Sequence, residues 1–168
     1  MLTDVPGLFS KALAGIHENN KELLRRQVKS PGMAFISYEN TGSTTMSPSV
    51  YTEFCEPYLN DYSDIIHREG KLHLIHACGK FKLFSNLIKR GSFDGVVDIA
   101  PSPTGDIELW EAKEGFGNKV VTRGIDCTTF AMATPQEANQ KSLRIIVGEL
   151  LWMSIQENIC RVKIDTPL

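Results

Sequence analysis

His76 and Cys78 are separated by a single residue and close the short apolar segment 71–76. If the chain stays extended here, alternate side chains share a face, so the imidazole and the thiol point the same way. An imidazole nitrogen and a thiolate sulfur are both good zinc ligands. Gly79 allows the backbone to turn tightly directly after them. The segment therefore predicts two ligands of a zinc site, and a third ligand must come from elsewhere in the chain.

The third and fourth ligands have several candidates, all next to predicted strand ends. Cys160 and Cys127 offer sulfur, whereas Glu39 and Asp98 offer carboxylate oxygen. Glu39 and Asp98 are also the candidate catalytic or histidine-orienting groups. Simpler interpretations stay open, because a lone His-x-Cys occurs by chance and isolated cysteines are often small buried hydrophobic residues. The carboxylate of Asp98, like that of Asp126, could simply cap a loop.

The remaining histidines and Cys55 are not predicted as site residues. His73 lies on the opposite strand face from His76 and is expected to be a hydrogen-bonded packing residue. His17 and His67 fall in amphipathic helices and are expected to be solvated. Cys55 lies within a predicted helix and is expected to pack there.

Helices and strands alternate along the chain, which predicts parallel βαβ units. Two architectures fit: an open doubly wound sheet or part of a (β/α)₈ barrel. No glycine-rich phosphate-binding motif follows any strand, which weakens the nucleotide-binding version. In both architectures functional residues gather at the carboxyl ends of strands. The predicted strands are 33–38, 71–76, 93–99, 119–124 and 159–164, and the predicted helices are 5–29, 47–67, 80–90, 105–114 and 134–154.

Composition excludes several classes of function. The chain has 168 residues, 42% of them hydrophobic, and a net charge of -2, as expected of a globular domain that does not bind nucleic acid. No apolar run approaches the length of a membrane span, and no signal peptide is visible. Four cysteines in a chain of this size do not resemble a secreted disulfide framework, so a reducing cytoplasm is the expected compartment.

The order of several short motifs resembles the uroporphyrinogen decarboxylase superfamily. Each motif is weak, but their order and spacing agree from about residue 30 onward. Residues 47–59 resemble the family's helix that begins with Ser-Pro, and the His-Ala-Cys-Gly segment follows as it does there. The matching segments are Ser47-Pro48, Tyr51-Thr-Glu-Phe54, Pro57-Tyr-Leu59, Glu69-Gly-Lys71, His76-Ala-Cys-Gly79, Gly124-Ile-Asp126, Thr134-Pro-Gln-Glu137 and Asp165-Thr-Pro167.

The resemblance implies a (β/α)₈ barrel and one of two activities. The superfamily includes the metal-free uroporphyrinogen decarboxylase and zinc methyltransferases that move a methyl group from a corrinoid to a small thiol. In the methyltransferases zinc is held by a His-x-Cys pair and a later cysteine. His76 and Cys78 match the pair, and Cys160 matches the later cysteine by its place before the final Thr-Pro. A corrinoid protein and a thiol substrate are then the implied partners.

Residues 1–168 are expected to form a single, incomplete domain, the C-terminal part of the barrel. Five strands are predicted where eight are needed, and the last helix is missing. Decarboxylation in tetrapyrrole synthesis is the alternative activity; it requires positive groups, of which Arg123 is the obvious candidate. A third interpretation is non-enzymatic: an inactive truncated barrel, or a subunit that assembles with itself or with a chain supplying the missing wall.

Overall fold

The computed structural model describes residues 5–39, 41–100, 102–124 and 131–143. The chain divides into two compact units, residues 1–124 and residues 125–168. The elements of the first unit alternate as the sequence predicts. In chain order they are α1 (Pro6–Gln27), β1 (Ala34–Ser37), α2 (Pro48–Phe54), α3 (Glu56–His67), β2 (Leu72–His76), a 3₁₀ turn (Lys82–Phe84), α4 (Ser85–Arg90), β3 (Gly95–Ile99), α5 (Leu109–Gly115) and β4 (Val120–Arg123).

The four strands form one parallel sheet in the order β1-β2-β3-β4. Each strand pairs with the next strand along the chain, with helical residues in between. This sequential order is that of a (β/α) barrel segment, because a doubly wound sheet reverses direction at a switch point. The fold is therefore α/β with part of a barrel, as predicted. The predicted fifth strand, 159–164, lies outside the described residues.

Helices cover one face of the sheet, and the main hydrophobic core lies between the two layers. Ile75, Val96 and Val121 point to this core from β2, β3 and β4. Because strand side chains alternate, their neighbours Leu72 and Val120 face the other side of the sheet and are exposed. The helix-side core is completed by Tyr51, Leu59, Phe81, Phe84, Ile88, Phe93, Ile107, Ala112 and Phe116.

The segment predicted as one helix over 47–67 is two helices that break at Cys55. Ser47 caps the first helix, since its hydroxyl accepts the Val50 N–H. Pro57 lies in the first turn of the second helix, where it has no N–H to donate to the preceding turn. The break follows from that missing donor. No helix among the described residues is both long and apolar enough to cross a membrane.

In the second unit the described residues contain the predicted capping box. Thr134 Oγ1 accepts the Glu137 N–H at 3.3 Å, and the Glu137 carboxylate accepts the Thr134 N–H at 2.8 Å. These reciprocal bonds satisfy two donors that the first helical turn would otherwise leave unpaired. Residues 135–143 are helical, so the predicted start of this helix is confirmed.

Candidate functional site

The candidate site residues of the first unit lie at or just beyond the carboxyl ends of the strands. Glu39 follows β1, His76 ends β2, and Asp98 lies near the end of β3. Parallel strands place these ends along the same edge of the sheet. The loop after β1 also packs against the loop after β2, since the Ser43 N–H donates to the Lys80 carbonyl at 2.8 Å. This edge is the surface on which the candidate residues converge.

His76 and Asp98 form the central pair of this edge. The Nδ1 atom of His76 lies 3.1 Å from Oδ2 of Asp98. When Nδ1 carries the proton and donates it to the carboxylate, Nε2 has a free lone pair. A carboxylate that fixes a histidine in this tautomer is the usual support of a metal-binding imidazole. The pair therefore presents Nε2 as an acceptor for a cation or a proton.

The backbone of Asp98 adopts a conformation that is uncommon for a residue with a side chain. Its φ is 62°, in the left-handed region, where Cβ crowds the following carbonyl. The pairing register between β3 and β4 shifts between Val96 and Ile99, so Asp98 lies in a bulge. Its N–H donates to Thr122 Oγ1 at 3.3 Å. Bulges re-aim side chains next to functional sites, and this one is associated with the carboxylate that meets His76.

Tyr38 belongs to the same site, although the sequence analysis did not select it. Its ring centroid lies 5.4 Å from that of His76, with the planes tilted by 35°. Tyr38 directly precedes Glu39 at the end of β1, so the strand-end rule that selected Glu39 also applied to it. The Tyr38 ring thus lies beside the imidazole at the end of the neighbouring strand.

Cys78 lies beyond the end of β2, and it is exposed. Gly79 has a φ of 87°, so the tight turn predicted there is confirmed. A Cβ atom on Gly42 would lie 3.3 Å from the Cys78 carbonyl oxygen, which shows how closely the β1 loop approaches this turn. Cys78 is thus two residues from His76 in the sequence, on a turn that the loop after β1 approaches closely.

Within the part of the chain that the structure describes, Glu39 makes no hydrogen bond or ion pair with His76 or Asp98. Burial raises the pKa of its carboxyl group. Burial raises the pKa of Tyr51, Cys55 and Tyr62, which lie in or beside α2 and α3, and the charge of Glu39 contributes in the same direction. The carboxyl group is therefore close enough to α2 and α3 to act on their side chains. Because its raised pKa favours the protonated form, the Glu39 carboxyl group is a weaker ligand for a cation than an ordinary carboxylate.

The donor chemistry of His76 and Cys78 fits zinc, but the described residues supply only part of a site. No three His, Cys, Asp or Glu side chains within 5–39, 41–100, 102–124 and 131–143 lie close enough together to hold a metal ion. The two candidate third ligands, Cys127 and Cys160, lie outside the described residues, as does Asp126. The assignment of a third ligand stays a prediction.

The structure corrects the prediction for His17 and agrees with that for His73. His17 was expected to be solvated but is buried between α1 and α3, where Nε2 lies 2.8 Å from Asp61 and Nδ1 lies 3.1 Å from the Tyr62 hydroxyl. A helical pattern cannot show that this face of α1 meets α3. His67 is exposed and lies 2.8 Å from Asp94, so it is accessible as expected.

His73 is fully buried on the helix side of β2. Its Nδ1 and Nε2 atoms lie 2.7 Å and 2.8 Å from the hydroxyls of Ser63 and Ser37. Ser63 donates its only proton to the Leu59 carbonyl, so Nδ1 must donate to Ser63 and Nε2 must accept from Ser37. Burial lowers the pKa of His73 to about 4, with the nearby His67 charge acting in the same direction. This histidine is neutral and structural.

Arg123 lies at the end of β4, where a cation could bind a substrate carboxylate. Its Nη1 atom is 3.6 Å from a carboxylate oxygen of Glu108, the residue that caps α5. The guanidinium charge of Arg123 is therefore partly balanced by Glu108 and is less available to a substrate carboxylate.

The sequence also matches a known protein family. No curated protein matches the chain. The sequence profile described as Uroporphyrinogen decarboxylase (URO-D) matches residues 1–150, which include His76, Cys78 and Asp98 but not Cys160. The family's fold is a (β/α)₈ barrel, in agreement with the sequentially ordered parallel sheet. With nine-tenths of its length matched, the chain belongs to the uroporphyrinogen decarboxylase family.

Proposed function

We propose that this chain carries the zinc site of a methyltransferase that moves a methyl group from a methylcorrinoid to a small thiol. Support comes first from the His76–Asp98 pair, which leaves Nε2 of His76 free to bind a metal. Cys78 supplies a thiol two residues further on. A decarboxylase that works without metal has no need for an imidazole presented in this way beside a thiol.

Three side chains would hold the metal: His76 through Nε2, Cys78 through its sulfur, and Cys160 as the later cysteine. When bound, zinc would lower the pKa of the thiol substrate, so that its thiolate is present at neutral pH. In the overall reaction the thiolate sulfur forms a bond to the methyl carbon. The cobalt–carbon bond breaks at the same time, and its electron pair stays with the corrinoid, which a partner protein would carry.

The other residues of the site have supporting roles. Asp98 holds the proton at His76 Nδ1 and thereby fixes the tautomer. Thr122 fixes the backbone of Asp98, and the ring of Tyr38 lies beside the imidazole. Glu39 stays a candidate fourth ligand or orienting group; burial raises the pKa of its carboxyl group, which favours the protonated form and makes it a weaker ligand than His76 and Cys78.

Metal content tests this function directly. We expect the purified chain to contain zinc in about a one-to-one ratio by elemental mass spectrometry. Cys78→Ser and His76→Ala should lose most of it, whereas Cys55→Ser is a matched control that should retain it. Cys160→Ser compared with Cys127→Ser identifies the third ligand. Wild-type protein that is metal-free after purification without chelator, and that does not take up added zinc, contradicts the proposal.

Tetrapyrrole decarboxylation is the second candidate, and the description of the matching family favours it. It needs cations that bind substrate carboxylates, and Arg123 is the candidate at the strand ends. The ion pair with Glu108 would have to open for this role. Carbon dioxide release from a carboxylated porphyrinogen by metal-free protein, lost in Arg123→Gln, would favour this activity over methyl transfer.

A non-enzymatic role is the third candidate, in which the chain is a subunit that works only with a second chain. The exposed apolar residues on the open sheet face favour an additional covering element. Methyl transfer by the isolated chain would argue against it.

A further inference from the structure

A cavity of about 550 Å³ lies at the amino ends of β3 and β4, at the edge of the sheet opposite the His76–Asp98 pair. It is formed by the loop that joins α4 to β3 and the loop that joins α5 to β4. A volume of this size is in the range of small-molecule binding sites. Its polar lining comes from both loops and from the last turn of α4: Lys89, Ser92, Asp94, Gly117, Asn118 and Lys119.

Three side chains of this lining have hydrogen-bond donors that no described residue uses. Lys89 is exposed and forms no ion pair or hydrogen bond within the described part of the chain. The same holds there for the Ser92 hydroxyl and the Asn118 amide. An ammonium group has three N–H donors, an amide has two and a hydroxyl has one. The cavity therefore offers a group of donors together with an unpaired positive charge.

The turn between α5 and β4 adds backbone donors beside Lys89. Phe116 is right-handed helical, with φ of -92° and ψ of 0°, and Gly117 is left-handed, with φ of 69°. Consecutive residues of these two conformations turn successive N–H groups toward one side, an arrangement that commonly binds anions. A Cβ atom on Gly117 would lie 3.6 Å from Cε of Lys89, so the end of the lysine side chain lies beside this turn.

The charges of the lining also favour an anion. Lys89 and Lys119 are positive, whereas Asp94 is negative. Oδ2 of Asp94 lies 2.8 Å from Nε2 of His67, which can offset part of the negative charge when it is protonated. The Lys119 ammonium donates to two carbonyl groups of the loop after α4 and offsets their partial negative charge. The charge that remains for a ligand is that of Lys89.

We propose that this cavity binds a small phosphate monoester, whose phosphate group contacts Lys89, Ser92 and Asn118. A phosphate monoester carries about 1.5 to 2 negative charges near neutral pH and has three terminal oxygens that accept hydrogen bonds. The ammonium, hydroxyl and amide groups supply donors for these oxygens. The cavity is larger than a phosphate ion, so it has room for the organic part of the ester. The second carboxylate oxygen of Asp94 can accept a hydroxyl group of that part.

The expected binding is weak and depends on salt. One unpaired lysine charge in a cavity open to water gains little Coulomb energy, and added salt screens it. We therefore expect a dissociation constant in the millimolar range that rises with ionic strength. The site lies at the amino ends of the strands, so its occupation does not depend on the proposed zinc site at their carboxyl ends.

NMR titration of the full chain with glycerol 3-phosphate tests this site, since amide shifts report both the affinity and the place of weak binding. We expect the largest changes at Ser92, Gly117 and Asn118, and no comparable changes with glycerol. Lys89→Gln should raise the dissociation constant about tenfold, because it removes the unpaired charge. Lys11→Gln is the matched control, since Lys11 is exposed on α1 and loses the same charge elsewhere; its affinity should stay within about twofold of the wild type.

A second variant should act in the opposite direction. Asp94→Asn removes the acidic charge and keeps an acceptor for the His73 N–H, so it should bind inorganic phosphate about threefold more tightly than the wild type. Circular dichroism confirms that all variants are folded. Absence of shifts at Ser92, Gly117 and Asn118, or equal shifts with glycerol, overturns the proposal. So does equal weakening in Lys89→Gln and Lys11→Gln, or weaker phosphate binding by Asp94→Asn.

Discussion

The Nδ1 atom of His76 lies 3.1 Å from Oδ2 of Asp98, which connects the ends of two neighbouring strands. The two residues are far apart in sequence, and only the parallel register brings them together. One carries the imidazole of the proposed zinc site, and the other fixes its tautomer. Removal of the carboxylate should therefore weaken metal binding without removing a ligand.

We predict that Asp98→Asn lowers the zinc affinity about 10- to 100-fold, as expected when a carboxylate behind a metal-binding histidine is lost. Competition with a chromogenic chelator measures the affinity. Asp64→Asn, at an exposed position of α3, is the control and should bind zinc as the wild type does. Equal affinities in the two variants would show that Asp98 does not support the metal site.

The left-handed backbone of Asp98 gives a prediction about stability. Neither Asp98→Gly nor Asp98→Ala has a carboxylate, so the two variants differ only by Cβ. At a φ of 62° we expect the alanine variant to be less stable than the glycine variant by about 1–2 kcal/mol. Urea denaturation measures the difference in the free energy of unfolding. A difference near zero would mean that the backbone relaxes when the side chain is shortened.

Thiol reactivity should distinguish the two cysteines of the first unit. Burial, and then the charge of Glu39, raises the pKa of Cys55 to about 11, so little reactive thiolate is present at pH 8. Cys78 is exposed and should react with iodoacetamide at least about tenfold faster. Peptide mass spectrometry after timed labelling measures both rates. Added zinc should protect Cys78 and leave Cys55 unchanged; protection of both would indicate a general change in the protein.

His73 predicts a loss of stability in acid. Its folded pKa of about 4 is below the ordinary histidine value, so the unfolded chain takes up a proton at a pH where the native protein does not. The difference between the unfolded and folded pKa values of His73 contributes about 3 kcal/mol to the free energy of unfolding. This contribution is fully present above about pH 6.5 and is lost as the pH falls to about 4. Urea denaturation at several pH values should show this slope. His73→Gln should flatten it, and an unchanged slope would assign the acid sensitivity to other groups.

The sequence predicted the alternation of elements and the strand ends because these follow from local hydrophobic patterns and from turn residues such as Gly79. It also selected His76 and Asp98 separately. It could not predict their contact, since the bulge at Asp98 depends on how β3 pairs with β4. Burial of His17 was missed for the same reason: a helix face becomes buried only when another helix packs on it.

The open face of the sheet gives the last prediction. Ile36, Leu72 and Val120 lie on the face opposite the helices, and all three are exposed. Parallel sheets are normally covered on both faces, so this surface should promote aggregation or assembly with a covering chain.

Replacement of all three residues by threonine places a β-branched side chain that suits a strand at each position and makes the face polar. We expect the variant to aggregate less by light scattering and to bind less of a hydrophobic dye. Its free energy of unfolding should change little, because exposed side chains contribute little packing. Ile75→Thr is the contrasting control: Ile75 is buried on the helix side, so this variant should lose stability and aggregate more.

If the triple variant is destabilised as strongly as Ile75→Thr, the face is covered in solution. A different outcome would contradict the prediction altogether. If the wild-type protein is a clean monomer that unfolds in one sharp cooperative transition, these strands form an independent domain with no need for a covering chain.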